Sequence, residues 1–322
     1  MNTATAQAFA NIAFIKYWGN YDSELNLPAN GSISMNLGDL KTTTSVEFDT
    51  NLNEDIFLLN GKQEEGESLA RVSHFLDHVR ELADQEISAR VTSENNFPIG
   101  AGIASSASGF AALAKAATSA LGLQMDDHAL SRIARRGSGS AARSILPGFV
   151  ELFAGKTDQE AFAETIAPPE HWELHDIIAI VECGPKPVGS SLGHILADSS
   201  PVQPVRVADA PERLERCRRA IRERDFPSLA EIIELDSNLM HAAMMTSQPP
   251  LIYWEPGTVD LMKKVSNWRK EGLQACYTVD AGPNVHVICP SQHAEQVEHL
   301  IAALPGIQQV LHATPGRGAQ LI

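Results

Sequence analysis

Asn95-Asn96-Phe97-Pro98-Ile99-Gly100-Ala101-Gly102-Ile103-Ala104-Ser105-Ser106-Ala107-Ser108 is the stretch on which the fold turns. A β-branched run, Ile87 to Ser93, leads into it. An alanine-rich helical segment follows as far as Leu121-Gly122, where the glycine suits the position just past a helix end. Gly100, Gly102 and their small neighbours let backbone N–H groups approach a ligand closely. Ser105 and Ser106 stand where a helix begins, so free N–H donors and the positive end of the helix dipole point the same way, which makes a phosphate site. No Gly-Lys-Ser/Thr follows, so this is not the Walker pattern. A Gly-x-Gly alone would read as an ordinary tight strand-to-helix turn. The further small residues and the strand before them favour phosphate.

Outward from that loop, Thr42 to Phe48 alternates and reads as a strand, and Asp55 to Leu59 reads as another entering a tight turn at Asn60-Gly61. Glu67 to Ala83 has helical spacing. Asp126 caps a helix that stops at Gly137, and Gly137-Ser138-Gly139-Ser140-Ala141-Ala142-Arg143-Ser144 is a second small-residue loop. In the second half, Ile177 to Val181 is a buried strand, with helices at about Pro211–Arg224, Ser228–Met244 and Val259–Lys270. Gln274–Asp280 and Val285–Cys289 are strands flanking the turn Ala281-Gly282-Pro283-Asn284. Pro201 to Pro211 reads as a connector. Pro168-Pro169 marks a soft boundary, dividing the chain into residues 1–170 and 171–322.

The chain has 322 residues, 43% of them hydrophobic, and a formal net charge of −15. It can bury a large core, and its surface repels nucleic acid and anionic membranes. A small anionic substrate then needs a local cluster of cations and N–H groups. Cys183, Cys217, Cys276 and Cys289 form no C-x-x-C pair and read as buried or incidental thiols in a reducing cytosol. Met1 to Phe14 has no basic leader region, and no run approaches the roughly 18 apolar residues of a membrane span. These features predict a soluble cytoplasmic protein that is not exported.

Several polar residues stand where chemistry could use them. Lys16 lies inside the apolar run of Asn11-Ile12-Ala13-Phe14-Ile15-Lys16-Tyr17-Trp18-Gly19, and by itself snorkelling to water is its simplest reading. Asp280 ends an apolar strand before a Gly-Pro turn and could serve catalysis or merely accept turn N–H bonds. Arg143 could be functional or a surface arginine. His74/His78 and His171/His175 have i,i+4 spacing but lack an H-E-x-x-H pattern, so metal ligation is disfavoured. Arg213, Arg216, Arg218, Arg219, Arg222 and Arg224, interleaved with acids, read as a solvated helix face with internal pairs.

Taken together, Asn11–Gly19, Asn95–Ser108, Ser131–Ser144, Lys186–Gly193 and Asp280–Asn284 resemble the diphosphomevalonate decarboxylase family. That family lies within the small-molecule kinases that include galactokinase, homoserine kinase and mevalonate kinase. The matching pieces span nearly the whole chain and keep the family's order. The resemblance implies an α+β GHMP-kinase fold: an N-terminal half like ribosomal protein S5 domain 2, a C-terminal ferredoxin-like half, and an active site between them, commonly in a homodimer. It implies ATP-dependent decarboxylation of a phosphorylated mevalonate, with ATP and Mg²⁺. Asp280 would orient or deprotonate the 3-hydroxyl. Lys16 would balance its charge and steady the moving phosphoryl group. Arg143, by a planar fork, and Asn11 would hold the C1 carboxylate. Tyr17, Trp18, Ser138, Ser140, Arg143 and Ser190 would bind substrate. Ser93, Asn95, Asn96, Gly100, Ala101, Gly102, Ala104, Ser105, Ser106, Ser108 and Lys186 would bind ATP, with Ser106 beside Mg²⁺.

Two positions depart from the pattern. Asn20 stands where the family usually has lysine after Tyr-Trp-Gly, and Ser191 stands where bacterial members carry arginine. Eukaryotic-like relatives also have Ser-Ser-Thr at the second position. Each lost charge-assisted hydrogen bond would cost roughly 1.5–3 kcal/mol. The expected substrate is therefore 5-phosphomevalonate and the product isopentenyl phosphate. The alternatives are the diphosphate enzyme, a kinase that stops after phosphorylation, and a ligand-binding module without catalysis.

Overall fold

The computed structural model describes residues 2–97, 105–182, 184 and 188–322. A long strand, β1 (Thr3–Ile15), is followed by the short ribbon β2 (Asn20–Asp22) and β3 (Leu27–Pro28), then by a second long strand, β4 (Ser32–Phe48). β5 (Ile56–Leu59) turns into β6 (Lys62–Glu64) through Asn60 and Gly61, both at positive φ, as a two-residue hairpin requires. α1 (Gly66–Ala83), β7 (Ala89–Asn95), α2 (Ser105–Ala120), α3 (Asp127–Gly137), the single turn α4 (Ala141–Ser144), β8 (Phe149–Leu152) and β9 (Ala163–Ala167) complete the first half. The second half runs β10 (Leu174–Ile180), α5 (Ser190–Leu196), α6 (Gln203–Glu223), α7 (Phe226–Met245), α8 (Pro256–Lys270), β11 (Cys276–Val279), β12 (Val285–Pro290), α9 (Ser291–Ala302), β13 (Gln309–Ala313) and β14 (Gln320–Leu321).

The first sheet has the order β14-β1-β4-β7-β5-β6, with β8 pairing β4 and β9 pairing β8. β5 and β7 are parallel, joined across α1, and the other pairings are antiparallel. α2 packs on β1 and β4 through Ala107, Ala111, Ala114 and Ala117. Such small residues bring the helix axis close to the sheet and set the first turn of α2 at its edge. The second sheet is antiparallel in the order β11-β12-β10-β13, the strand order of a ferredoxin-like β-α-β-β-α-β unit. Leu261 and Val265 of α8 cover this sheet together with Val297 and Ile301 of α9.

A large apolar cluster joins the halves. Ile12, Phe14, Ile33 and Phe149 of the first sheet share it with Leu229, Ile232 and Ile233 of α7 and with Ile178 and Ile288 of the second sheet. The halves therefore share a hydrophobic core. β14 also crosses back to pair with β1, so the last residues of the chain belong to the first sheet. No helix among the described residues is long and apolar enough to cross a membrane.

The structure corrects three expectations. Pro201–Pro211 is not a connector: α6 starts at Gln203, and Pro211 lies inside it. Pro204 sits in the first turn, where a missing N–H costs nothing, and the buried Arg206, Ala210 and Leu214 tie this helix to the interior. The arginine run of α6 is not simply solvated. Arg213 is buried on Asp236, and Arg218 reaches across to Glu151 at 2.9 Å. Lys16 does not snorkel, being 1% exposed.

Candidate active site

β1 ends at Ile15 because the next peptide leaves the ladder for side-chain partners. The Lys16 N–H donates to Asp236 Oδ2 at 2.6 Å, and its carbonyl accepts from Arg206 Nη2 at 2.8 Å and Asn30 Nδ2 at 3.0 Å. So anchored, the Lys16 side chain crosses between the halves, and Nζ donates to Asp280 Oδ1 at 2.5 Å. A cation buried among apolar neighbours needs such a partner, and Asp280, at the end of β11, supplies it. Asp280 is 23% exposed and faces a cleft of about 850 Å³ that Lys16, Asn11 and Arg143 also line. The turn-capping reading of Asp280 is therefore incomplete.

Arg143 is 2% exposed, so it is not a surface arginine. Its Nη1 donates to Ser32 Oγ at 2.6 Å and its Nη2 to Asn11 Oδ1 at 3.1 Å, while Nε has no partner among the described residues. Burial pushes its pKa down to about 10, opposed by the charge of Asp280, so it stays cationic at neutral pH. A buried guanidinium with an unused donor beside a cleft is built to receive an anion. Asn11 is arranged differently from expectation. Its Nδ2 donates to Ser140 O at 3.2 Å and to Ser144 Oγ at 2.8 Å, so both amide protons are engaged and its oxygen holds Arg143. Asn11 fixes the arginine and α4 and has no proton left for a carboxylate.

Tyr17, Trp18, Ser138, Ser140 and Ser190 line the same cleft. The Tyr17 hydroxyl donates to Asn20 Oδ1, and burial raises its pKa, so it is a neutral donor or acceptor. Gly139 lies flat against its ring: a Cβ there would fall 2.2 Å from Tyr17 Cε1. Ser138 Oγ sits 3.2 Å from Ser140 Oγ and 3.4 Å from Ser106 Oγ, a row of hydroxyls leading toward α2. Asn20 and Ser191 also line the cleft, as expected if they stand in a substrate pocket. Sequence reasoning missed His194. Its ring lies 4.3 Å from that of Tyr17 and 4.8 Å from that of Trp18, and its Nδ1 accepts from the Gly19 N–H at 3.0 Å. Burial, reinforced by Arg206, depresses it to about 3, so it stays neutral. A lone histidine in α5 carries no sequence signal of this role.

Ser105 and Ser106, in the first turn of α2, line both the cleft and an adjoining pocket of about 160 Å³ that contains Ser93 and Asn95. Two other residues of the expected nucleotide set are engaged elsewhere. Asn96 accepts from the Lys41 N–H and donates to Asp39 O, both at 2.8 Å, which secures the turn after β7. Ser108 is fully buried and shares a 2.6 Å hydrogen bond with Thr42, so it holds α2 to β4 instead of facing a ligand. Gly100, Ala101, Gly102, Ala104 and Lys186 lie outside the described residues. Arg71, another residue missed in the sequence, lines both cavities and stacks over Phe110 at 5.1 Å. Among the described residues no three metal-ligating side chains gather, at His74/His78, His171/His175 or elsewhere.

Comparison with known proteins finds related chains. A family model described as diphosphomevalonate decarboxylase-like N-terminal domain matches residues 8–163. A second, described as mevalonate 5-diphosphate decarboxylase C-terminal domain, matches residues 176–318. The chain is 37% identical over 318 residues to the diphosphomevalonate decarboxylase of Candida albicans, covering 94% of this chain and 88% of that protein. It is 34% identical over 300 residues to the phosphomevalonate decarboxylase of Haloferax volcanii, covering 93% and 92%. A solved structure of MDDEF in complex with MVAPP, AMPPCP and magnesium superposes with a TM-score of 0.95 at 39% identity, covering 99% of this chain and 98% of that one.

Proposed function

The chain belongs to the diphosphomevalonate decarboxylase family, and from that premise we propose that it converts 5-phosphomevalonate and ATP to isopentenyl phosphate, ADP, phosphate and carbon dioxide. The observation that carries the chemistry is the 2.5 Å pair of Lys16 and Asp280 facing one cleft with the buried Arg143. The 3-hydroxyl of the substrate, set against Asp280, attacks the terminal phosphorus of ATP and ADP leaves. Asp280 orients that hydroxyl or takes its proton. The hydroxyl oxygen is now bonded to phosphorus, and the C3–O bond then breaks with loss of phosphate. The C1–C2 bond breaks as carbon dioxide departs, and its electron pair closes the C2=C3 double bond. Arg143 holds the carboxylate through guanidinium protons that Ser32 and Asn11 do not engage, and Lys16 stabilises charge on the transferring group. Ser93, Asn95, Ser105 and Ser106 hold the nucleotide. The Ser106 hydroxyl, open to the cleft, suits Mg²⁺, a hard cation that is held largely by substrate phosphates and neutralises their charge. The first half thus supplies nucleotide binding and the second the acid–base carboxylate. We place the division near residue 170, and the working unit in the cytoplasm as a homodimer.

The monophosphate reading rests on Asn20 and Ser191, both uncharged and both lining the cleft, the first where the family usually has lysine and the second where its bacterial members have arginine. Two observations favour the diphosphate instead. Arg136 lines the same cleft, and most relatives are named for the diphosphate. Comparing kcat/KM for the two substrates, with product analysis, decides between them. A preference of about tenfold or more for the monophosphate is expected from the missing cationic contacts, and a clear preference for the diphosphate overturns it. Carbon dioxide released in step with ADP separates decarboxylation from a kinase reaction that stops at the phosphorylated alcohol.

A further inference from the structure

We propose that α7 is the positioning element of the Lys16–Asp280 pair, gripping the backbone on both sides of it; this rests on the catalytic reading above. Among the described residues β11 is an edge strand, paired only with β12, so its outer N–H and C=O groups need partners other than a strand. α7 provides them from residues spaced i, i+3 and i+7. Glu234 Oε1 accepts from the Tyr277 N–H at 3.2 Å. Ser237 Oγ accepts from the Val279 N–H at 3.0 Å. His241 Nε2 donates to Val279 O at 3.2 Å. The last two hold both backbone polar groups of Val279, the residue immediately before Asp280. From the neighbouring position on the same helix, Asp236 Oδ2 takes the Lys16 N–H at 2.6 Å, while Oδ1 takes Arg213 Nε at 2.7 Å.

Asp236, Ser237 and His241 are all at least 99% buried, so these bonds have no competition from water. A lysine and an aspartate contributed by different halves meet productively only if both backbones are fixed to within about 0.5 Å. One helix that binds both peptides fixes that separation directly. Asp236, Ser237 and His241 are positioning residues: none lines the cleft.

The test is steady-state kinetics on the full chain with the preferred substrate, at a temperature where circular dichroism shows each variant folded. Asp236→Asn strips the charge that compensates buried Arg213 and can fail to fold. Ser237→Ala, uncharged and smaller, keeps the inference falsifiable. For Ser237→Ala the expectation is a kcat about 10- to 100-fold lower, as for a misplaced catalytic group, with both KM values within about threefold. A folded Ser237→Ala enzyme with unchanged kcat, or one affected only in KM, overturns the positioning role. Asp280→Asn is measured alongside. If it is inactive while Ser237→Ala is normal, the inference alone fails. If it keeps full activity, the catalytic reading and the inference fall together.

Discussion

The side chains that matter most here are those whose burial contradicts their chemistry. Lys16 and Arg143 are cations at 1% and 2% exposure, and each persists because named oxygens meet it. Arg143→Lys keeps the charge and loses the planar set of donors that serves Ser32, Asn11 and a carboxylate together. The expected result is a kcat/KM loss of about 100-fold or more at unchanged pH optimum, read by initial rates. Gly139 is the opposite case, a residue defined by what it lacks. Gly139→Ala drives a methyl into the Tyr17 ring, which lines the cleft, so a KM rise of about tenfold for the phosphorylated substrate is expected with ATP affinity preserved. Both arginine and glycine were visible in the second small-residue loop. That Arg143 is buried, and that Asn11 serves it rather than the substrate, was not, because residues 132 apart meet only when α4 closes on β1.

Among the elements, the two long helices between the sheets carry opposite tensions. Pro211 interrupts the hydrogen bonding of α6 from an exposed position, so no packing is lost on replacing it. Pro211→Ala is expected to stabilise the fold by about 1–3 kcal/mol, measured by urea unfolding. α7 buries His241 against Trp254 and the Val279 carbonyl. Burial, aided by the Lys16 charge, lowers its pKa from 6.5 to about 4 against the opposing bond to Val279. The folded state therefore keeps the ring neutral while the unfolded chain protonates it below its ordinary pKa. Stability from this group is complete above about pH 6.5 and is lost as pH falls toward 4. The expected outcome is a melting temperature that falls between pH 7 and pH 5 with a smaller slope in His241→Gln, which retains a donor but does not titrate. Equal slopes would show that the histidine contributes nothing to the acid limb. The spacing of Glu234, Ser237 and His241 was open to inspection in the sequence, but a stripe of polar residues on a helix says nothing of the strand edge it will meet.

At the scale of the molecule, the site exists because the halves share a core and the chain's end returns to its beginning. Asn36 Nδ2 donates to Leu146 O and, at 3.2 Å, to Arg317 O, Gly316 packs against Gly38, and β14 extends the first sheet. Removing residues 314–322 unpairs the edge of β1 and leaves these buried groups unmet, so a loss of about 3 kcal/mol or more in unfolding free energy is expected, measured in urea. What the sequence determined alone was local. Hairpin and cap chemistry placed the Asn60-Gly61 turn and the start of α3, where Asp126 accepts the Ala129 N–H at 2.7 Å, because those signals act within a few residues. Motifs in their order identified the family and named Lys16, Arg143 and Asp280. Tertiary structure decided what these residues face. Lys16 and Asp280 are 264 positions apart, and only the shared core of the two sheets brings them to 2.5 Å. The same packing engaged Asn96 and Ser108 in structural bonds and turned Arg206 and Arg213 of α6 inward. Side-chain partners across such separations are set by how layers stack, and no periodicity or local propensity encodes that.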